Sequence, residues 1–516
     1  MAQGVLSYQY QEEASESGMT AWAGLPLFLD LAQAAGLWDS ISRHVKVRAR
    51  SRGGWSDTQA VMSLILLNLV GGTGVSDIQM LEGDRGLGAV LHSAETAGLT
   101  RRQRRGLKKK RRKQHKRGEQ FRNFPSESAI FRYLARFHDS HQELLRATAE
   151  KAFIPAANVH LRGLGQVNSE FVAFIQASAP KQHATIDIDA TLVPTDKRDA
   201  LYCYKKFKAY QPLNAYWAEQ EVIVRSEFRD GNVPAGYQQL RVFKESLDAL
   251  PEGVERVLHR SDTAGYQTDL LKYCAEGKSE RFGVIKFAIA ADVTDPFKQA
   301  VAEVPDSDWH SLYRNYDDGM RIKLDQEWAE VCYVPNWAGH SKKGPAYRFL
   351  AIREPLRQLE IVGTEPQPEL PFQTIEYSQH ERYKLFGLVT NRDLPGDELI
   401  AWHRKRCGKS EEAHAVMKHD LAGGHLPSND FGENAAWWAI MILAFNLNSA
   451  MKRLVLGGSW TRKRMKAIRF AIINLPGRVI HHARQLVVRL TKNHPSNAIL
   501  MAARERVLQL ACGPSG

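Results

Sequence analysis

Two aspartates two residues apart open the chemistry of this chain. In the stretch HATIDIDATLVP, residues 183 to 194, polar and apolar residues alternate as they do in a strand, which puts Thr185, Asp187, Asp189 and Thr191 on one side. Carboxylates so placed are costly near a core unless each finds a partner charge, a hydrogen bond or a metal ion. A divalent metal answers the need in one step; a strand with one solvated face is the other reading. A further carboxylate, Asp262, ends the strand-like run VERVLHRSD. Carboxylates at neighbouring strand ends make a Mg²⁺ site, because hard divalent cations prefer oxygen ligands. The third comes from ELIAWHRKRCGKSEEAHAVMKHDL, where an unbroken helix running past Gly408 puts Glu411, His414, Ala415 and Lys418 on one face. Acid and base at that spacing also decorate solvent-facing helices. Zinc is not supported, since the Glu-x-x-His has no HExxH around it and no cysteine at ligand spacing.

The elements that must position these residues follow an α/β order. After the Asp187/Asp189 strand come a hairpin (YCYKKFKAYQPLNAYWAEQEVIVRSEF), a helix ended by Pro251 and Gly253, the strand leading to Asp262, the helix TDLLKYCAEG and the strand FGVIKFAIA. In that order the first and fourth strands lie parallel and adjacent, and Asp189 and Asp262 meet beyond their C-terminal ends. Residues 291 to 382 interrupt the pattern with turn-rich sequence, short strand-like runs and Trp309, Trp328 and Trp337, and read as an inserted β-rich subdomain. Its tryptophans serve either as its core or as a base-stacking platform. The strand YKLFGLVTN and a helix opening near Pro395 then resume the α/β order.

The flanks are helical in pattern. Residues 21 to 45 carry no evident chemistry, whereas Ser56 or Asp57 caps TQAVMSLILLNLV, which stops at Gly71-Gly72 and is followed by DIQMLE. This helix, turn, helix unit is either a DNA-reading module or two packed helices. Between 101 and 117, RRQRRGLKKKRRKQHKR holds twelve Lys or Arg and no acid, nearly the whole formal net charge of +13. Like charges at that density repel, so the arm is expected to be an exposed loop that orders on a polyanion, with phosphate as its target. The helix ESAIFRYLARFHD follows, with Ile130, Tyr133, Leu134 and Phe137 on one face.

A chain of 516 residues with 43% hydrophobic content buries several cores, and 70 Lys+Arg against 57 Asp+Glu favours nucleic acid as partner. Five scattered cysteines without a CxxC pair read as reduced thiols. No apolar run is read as reaching the ~18 residues of a membrane span, and no leader is recognised at the N-terminus. A cytoplasmic protein with no membrane partner is expected.

Asp189 in D-A-T, Asp262 in S-D-T-A-G-Y, T-N-R at Thr390, and G-K-S-E with Lys418 seven residues after Glu411 together resemble the DDE transposases of bacterial insertion sequences. More narrowly, they resemble the group with a β insertion before the glutamate and a Tyr-Arg-Glu-Lys helix signature. The resemblance covers roughly residues 183 to 425. It implies an α/β, RNase H-like mixed-sheet core with an inserted β-rich subdomain and helical flanks, in which Asp189, Asp262 and Glu411 are the catalytic residues and hold two Mg²⁺ ions, with Mn²⁺ as substitute. By the same match Lys418 contacts the DNA backbone; Arg406 and Arg404 on the same helix are expected to bind DNA as well, beside the arm's Arg101, Arg102, Arg104, Arg105, Lys108, Lys109, Lys110, Arg111 and Arg112. The chain departs from the signature in two places. Trp402 or His403 stands where tyrosine is expected, and four residues rather than three separate Arg406 from Glu411.

The expected organisation is a helical DNA-binding region at 1 to 150, a linker at 151 to 182, the catalytic domain at 183 to 290 and 383 to 425 around the insertion, and a C-terminal helical region at 426 to 516. The expected activity is cut-and-paste transposition by a homodimer on DNA, near the bacterial nucleoid. A metal-dependent nuclease without strand transfer uses the same three acids, and a non-catalytic DNA-binding regulator explains the charge alone.

Overall fold

The computed structural model describes residues 18–47, 54–116, 122–315, 319–335, 347–356, 372–378, 381–483 and 485–512. Ten strands form one mixed sheet: β1 (His183–Ala190), β2 (Leu213–Trp217), β3 (Val222–Glu227), β4 (Arg256–Ser261), β5 (Lys286–Ala291), β6 (His310–Asn315), β7 (Arg321–Val331), β8 (Arg348–Pro355), β9 (Thr374–Ser378) and β10 (Glu381–Thr390). Their spatial order is β3-β2-β1-β4-β5-β10-β8-β7-β6, and β9 pairs with β10. The first five strands thus stand in the order 3-2-1-4-5. β1, β4 and β5 are parallel, and β2 and β3 are antiparallel on one edge. This is an RNase H-like core, the fold that the family resemblance implied, and the parallel, adjacent first and fourth strands are those read from the order of elements.

The insertion is not a separate β subdomain. Its strands pair through β10 onto β5 and lengthen the same sheet, with Arg348 of β8 opposite Thr390 of β10. Trp309 is buried there under the Arg353 guanidinium, 4.0 Å from its ring centre, and Trp328 lies against His310, so both belong to the packing of this sheet. Trp337 lies outside the described residues.

Three expectations about the flanks change. The basic stretch forms a helix, α1 (Arg101–Lys116), in place of a loop. Thr100 and Gln103 cap it reciprocally, and Arg104 donates to the Ala97 and Leu99 carbonyls. Those caps and the high helix propensity of Lys, Arg and Gln outweigh the repulsion among its charges. Arg101, Arg102, Arg104, Arg105 and Lys109 are exposed; the side chains of Lys108, Lys110, Arg111 and Arg112, and the whole of Arg117, lie outside the described residues. The stretch expected as a linker holds α2 (Val159–Ser178), capped by Asn158 and buried along Leu164, Val167, Phe171 and Ile175. The C-terminal region contains a β-hairpin, Gly477–His482 with Gln485–Leu490, which pairs with Met19–Thr20 and ties the two ends of the chain together.

α3 (Gly396–Ala415) lies over the face of β1 and β4 that carries the aspartates. α4 (Phe431–Ala450) continues to Leu456 as the one stretch among the described residues long and apolar enough to cross a membrane, with mean hydropathy 1.3, which corrects the reading that no such run exists. Its setting is that of a core helix, since 72% of its most apolar window is buried inside the protein. Asn446 of α4, Asn168 of α2 and the Ile223 backbone of β3 form a buried hydrogen-bonded junction between helices and sheet.

Candidate active site

β1 is covered on both faces, so the reading of a strand with one solvated side fails at Asp187, which is fully buried. Its two oxygens accept from Arg260 Nε at 2.6 Å and Nη2 at 2.7 Å, and Arg260 Nη1 donates to the Trp402 carbonyl at 2.7 Å. Burial pushes the Asp187 carboxyl up and Arg260 pulls it back. With both oxygens held by one planar guanidinium, it is the charged partner of a bidentate pair. Asp187 is therefore occupied, and the next carboxylate along the strand is the available one. Sequence reasoning missed Arg260, which lies in VERVLHRSD together with Arg256, with nothing local to tell which of the two faces the aspartates.

Asp189 stands at the C-terminal end of β1. The parallel register that puts Ile188 beside Ser261 brings Asp262, the next residue of the neighbouring chain segment, alongside it. Asp262 caps the short turn Thr263–Gly265 by accepting from the Ala264 N–H at 3.1 Å. Burial raises the pKa of both carboxyls, and Asp189 pushes that of Asp262 further up. Two carboxylates that disfavour one another's charge at adjacent strand ends form a place where a hard cation is stabilised.

The helix α3 decides what completes it. Its sheet-facing positions are His403, Arg406, Ser410 and His414, three to four residues apart. His403 Nε2 donates to the Ser261 carbonyl at 3.0 Å. Ser410 Oγ donates to Asp189 Oδ2 at 2.9 Å, and Arg406 Nη1 lies 3.5 Å from the same oxygen. His414 Nε2 is 3.3 Å from the Asn214 amide, whose oxygen already accepts from Ser226, so the amide donates and the imidazole proton sits on Nδ1, 3.8 Å from Asp189. Burial pushes the pKa of His414 down to about 3 and that of His403 down to about 4. Both are neutral at physiological pH, so His414 and Asp189 are not an ion pair.

Glu411 is not in this group. It is exposed, as is Glu412, one helical step round from Ser410, and among the described residues no three His, Cys, Asp or Glu side chains are gathered as a metal set. The aspartate pair suits divalent metal, but the place on α3 where a third carboxylate would complete the set holds a serine, so the residues as arranged do not form the full two-metal site. Arg406, buried and with its Nε unpartnered, supplies the positive charge nearest the aspartates. Lys418 lies beyond them, donating to the Leu192 carbonyl at 3.3 Å, and partial burial lowers its pKa. Arg404 turns away, toward Arg314 and Glu354 of the insertion.

An RNase H-like sheet with two aspartates at adjacent strand ends beneath a long helix that brings Arg406 to them defines a class, the polynucleotide-processing enzymes built on that core. The family model described as transposase DDE domain group 1 matches residues 11 to 512, and the chain belongs to that family. It is a DNA transposase. Among solved structures, the chain is similar to piggyBac transposase in a synaptic complex with hairpin DNA, determined by cryo-EM. That match has 11% identity, a TM-score of 0.44, and covers 87% of this chain and 79% of that one. No curated protein matches the sequence.

Proposed function

We propose that this transposase moves DNA by cut and paste: it binds the terminal inverted repeats of its own element as a homodimer, cleaves at the ends and joins the freed 3′-hydroxyls to target DNA. An insertion sequence of a bacterium as that element, and the nucleoid as the place of action, are part of the proposal. The observation that carries it is the pairing of Asp189 with Asp262 at adjacent strand ends in a chain of the DDE transposase family. Asp189 and Asp262 are proposed to be the pair that would hold divalent metal, Mg²⁺ or Mn²⁺, with Glu411 as the expected third ligand although it is exposed and off the pair here; the metal when bound would supply Lewis-acid polarisation of phosphoryl oxygens. The chain's own part is positional. Arg260 fixes β1 through Asp187, His403 locks α3 to β4, and Arg406 and Lys418 place positive charge where a phosphate backbone would lie. The serine in place of a third carboxylate is the observation on the side of a non-catalytic regulator. The DNA around the coding frame separates the readings: terminal inverted repeats bounded by short direct repeats belong to transposition, and their absence would count against it.

A hairpin that leaves β1 just after Asp189 is proposed to lie along the DNA end. Val193–Pro194 pairs with Ala209–Tyr210, and Cys203 N–H donates to the Phe207 carbonyl at 2.9 Å to close the tip. Tyr202 is 64% and Tyr204 71% exposed, each with a lysine over its ring, Lys208 at 6.0 Å and Lys205 at 5.7 Å. Exposed aromatics among cations suit unpaired bases, which stack for about 1–3 kcal/mol each. Replacing Tyr202 and Tyr204 by alanine is expected to weaken binding of end oligonucleotides with an unpaired flank and spare fully paired ones. Fluorescence anisotropy reads both, and equal losses would remove the hairpin from this role.

α1 is proposed to neutralise phosphates, each contributing about −0.9 to the slope of log K against log salt. Exchanging the twelve Lys and Arg of 101 to 117 for Gln or Ser is expected to flatten that slope by several units and leave sequence preference intact. An unchanged slope would show that the helix does not touch DNA.

A further inference from the structure

Phosphate contacts of the kind proposed for α1 position a protein on DNA but carry no base sequence, which is read by side chains that reach base edges in the grooves. The helix, turn, helix unit near the N-terminus does not supply such side chains. Its first helix, Asp57–Val70, is buried from Ala60 to Leu69, and Arg469 closes its C-terminal end by donating to the Asn68 carbonyl at 2.7 Å and the Leu69 carbonyl at 2.8 Å. Its second helix, Ile78–Gly83, is six residues long and holds no Lys or Arg. Of its side chains away from the core, Gln79 donates to Glu127 at 3.3 Å and Glu82 pairs with Arg122 at 3.0 Å. The unit is two packed helices.

The C-terminal region offers what that unit lacks. From Asn434 to Arg504 the chain holds twelve Lys or Arg and no acid, as many cations as the arm at 101 to 117, and outside these two stretches acids outnumber Lys and Arg. The hairpin Gly477–His482 with Gln485–Leu490 lies within this stretch. Met19–Thr20 pairs only with Gly477 and Arg478, so beyond them the ribbon is two-stranded. On its inward face Val479 is buried, and Val488 and Leu490 pack on the core. Residues directly opposite one another in an antiparallel pair share a face. Three such pairs stand on the outer face: Arg478 with Arg489, Ile480 with Val487, and His482 with Gln485. Arg478, Arg489, His482 and Gln485 are exposed. His481, on the inward face, is exposed as well, so the end of the ribbon stands clear of the body on both sides.

We propose that this hairpin enters the major groove of duplex DNA and reads the terminal repeat. The groove, about 12 Å wide, admits a two-stranded ribbon. The outer face carries the side chains that suit base edges: arginine is bidentate to guanine O6 and N7, glutamine to adenine N6 and N7, and aliphatic side chains meet the thymine methyl. Arg478 and Arg489 stand at one level, Gln485 nearer the tip, and Ile480 with Val487 between them. Lys492, exposed just past the second strand, is left for a flanking phosphate. α1 then supplies affinity without regard to sequence, and the hairpin supplies the choice of sequence. The inference deepens the reading of this chain as a transposase that binds its own ends, and rests on it.

Selection of bound duplexes from a random pool by the full chain, followed by anisotropy with the enriched duplex and a scrambled one at fixed salt, tests this without cleavage. The wild type is expected to enrich one sequence. Arg478→Ala and Arg489→Ala are each expected to lower the preference for it over the scrambled duplex by about tenfold or more, the weight of one bidentate base contact, while the slope of log K against log salt changes by no more than about one unit. Exchanging the cations of α1 should show the reverse, a flatter slope with the preference kept. Should Arg478→Ala, beside Met19, loosen the sheet, Arg489→Gln on the edge strand still decides, because it is expected to shift the preferred base at one position from guanine to adenine. The proposal is overturned if the folded variants enrich the wild-type sequence with undiminished preference, or if they lose affinity for both duplexes equally, which would make the ribbon a phosphate contact. Either result leaves the transposase reading standing. A wild type that enriches no sequence at all would remove recognition of the element's own ends, and the hairpin's role with it.

Discussion

Asp189→Asn is expected to lower end cleavage by roughly a thousandfold or more, the loss of about 4 kcal/mol of transition-state stabilisation, with binding of end DNA retained. The carboxylate lies at the end of β1, is not consumed by a guanidinium, and faces Asp262 across a parallel register. Asparagine keeps the shape and the hydrogen bond from Ser410 but removes the charge that a cation needs. Stability should not fall, because burial already disfavours the Asp189 carboxylate. The sign can be followed in pH. A carboxyl whose folded pKa is raised favours the folded state while protonated, and that contribution is lost as pH rises through the folded value. The asparagine variant should therefore resist urea at least as well as the wild type above that range. Cleavage that persists in Asp189→Asn would move the catalytic carboxylate elsewhere.

Asp187, two residues earlier, is expected to behave in the opposite way. Its replacement by alanine leaves Arg260 buried and unpaired, which costs about 3–5 kcal/mol, whereas exchanging both partners for apolar residues of similar volume restores most of it. The urea midpoints of Asp187→Ala and of Asp187→Leu/Arg260→Met read the difference. At temperatures where Asp187→Asn remains folded, it should still cut. If it is inactive while fully folded, and Asp189→Asn is active, the roles along β1 are reversed.

The contrast shows which parts of the site were legible in the sequence. Alternation in HATIDIDATLVP fixed the face, and the order of strands and helices fixed the adjacency of Asp189 and Asp262, because both are consequences of short-range pattern and chain connectivity. The capping box of Ser56 with Gln59 and the stop at Gly71 were equally local. Pairings between distant segments were not legible. Nothing local tells that the insertion strands join the catalytic sheet, or that Gly477–His482 finds Met19–Thr20. α2 was hidden by its glycines, although Gly163 is there for contact: a Cβ on it would stand 2.2 Å from the His44 carbonyl oxygen. The side-chain register of α3 was missed for a different reason. Spacing to Lys418 was counted on an uninterrupted α-helix, while the helix ends at Ala415 and Lys418 lies in a π turn, Val416–Asp420, that breaks that count.

The most direct measurement is a strand-transfer assay with labelled end DNA, a target plasmid, Mg²⁺ and the full chain, run beside Asp189→Asn, Asp262→Asn and Glu411→Gln. The wild type is expected to release 3′-hydroxyl ends and join them to the plasmid, and all three variants are expected to bind the ends and yield neither product. Joined product from any of the three at the wild-type level, or cleavage by the wild type that never proceeds to joining, would contradict it.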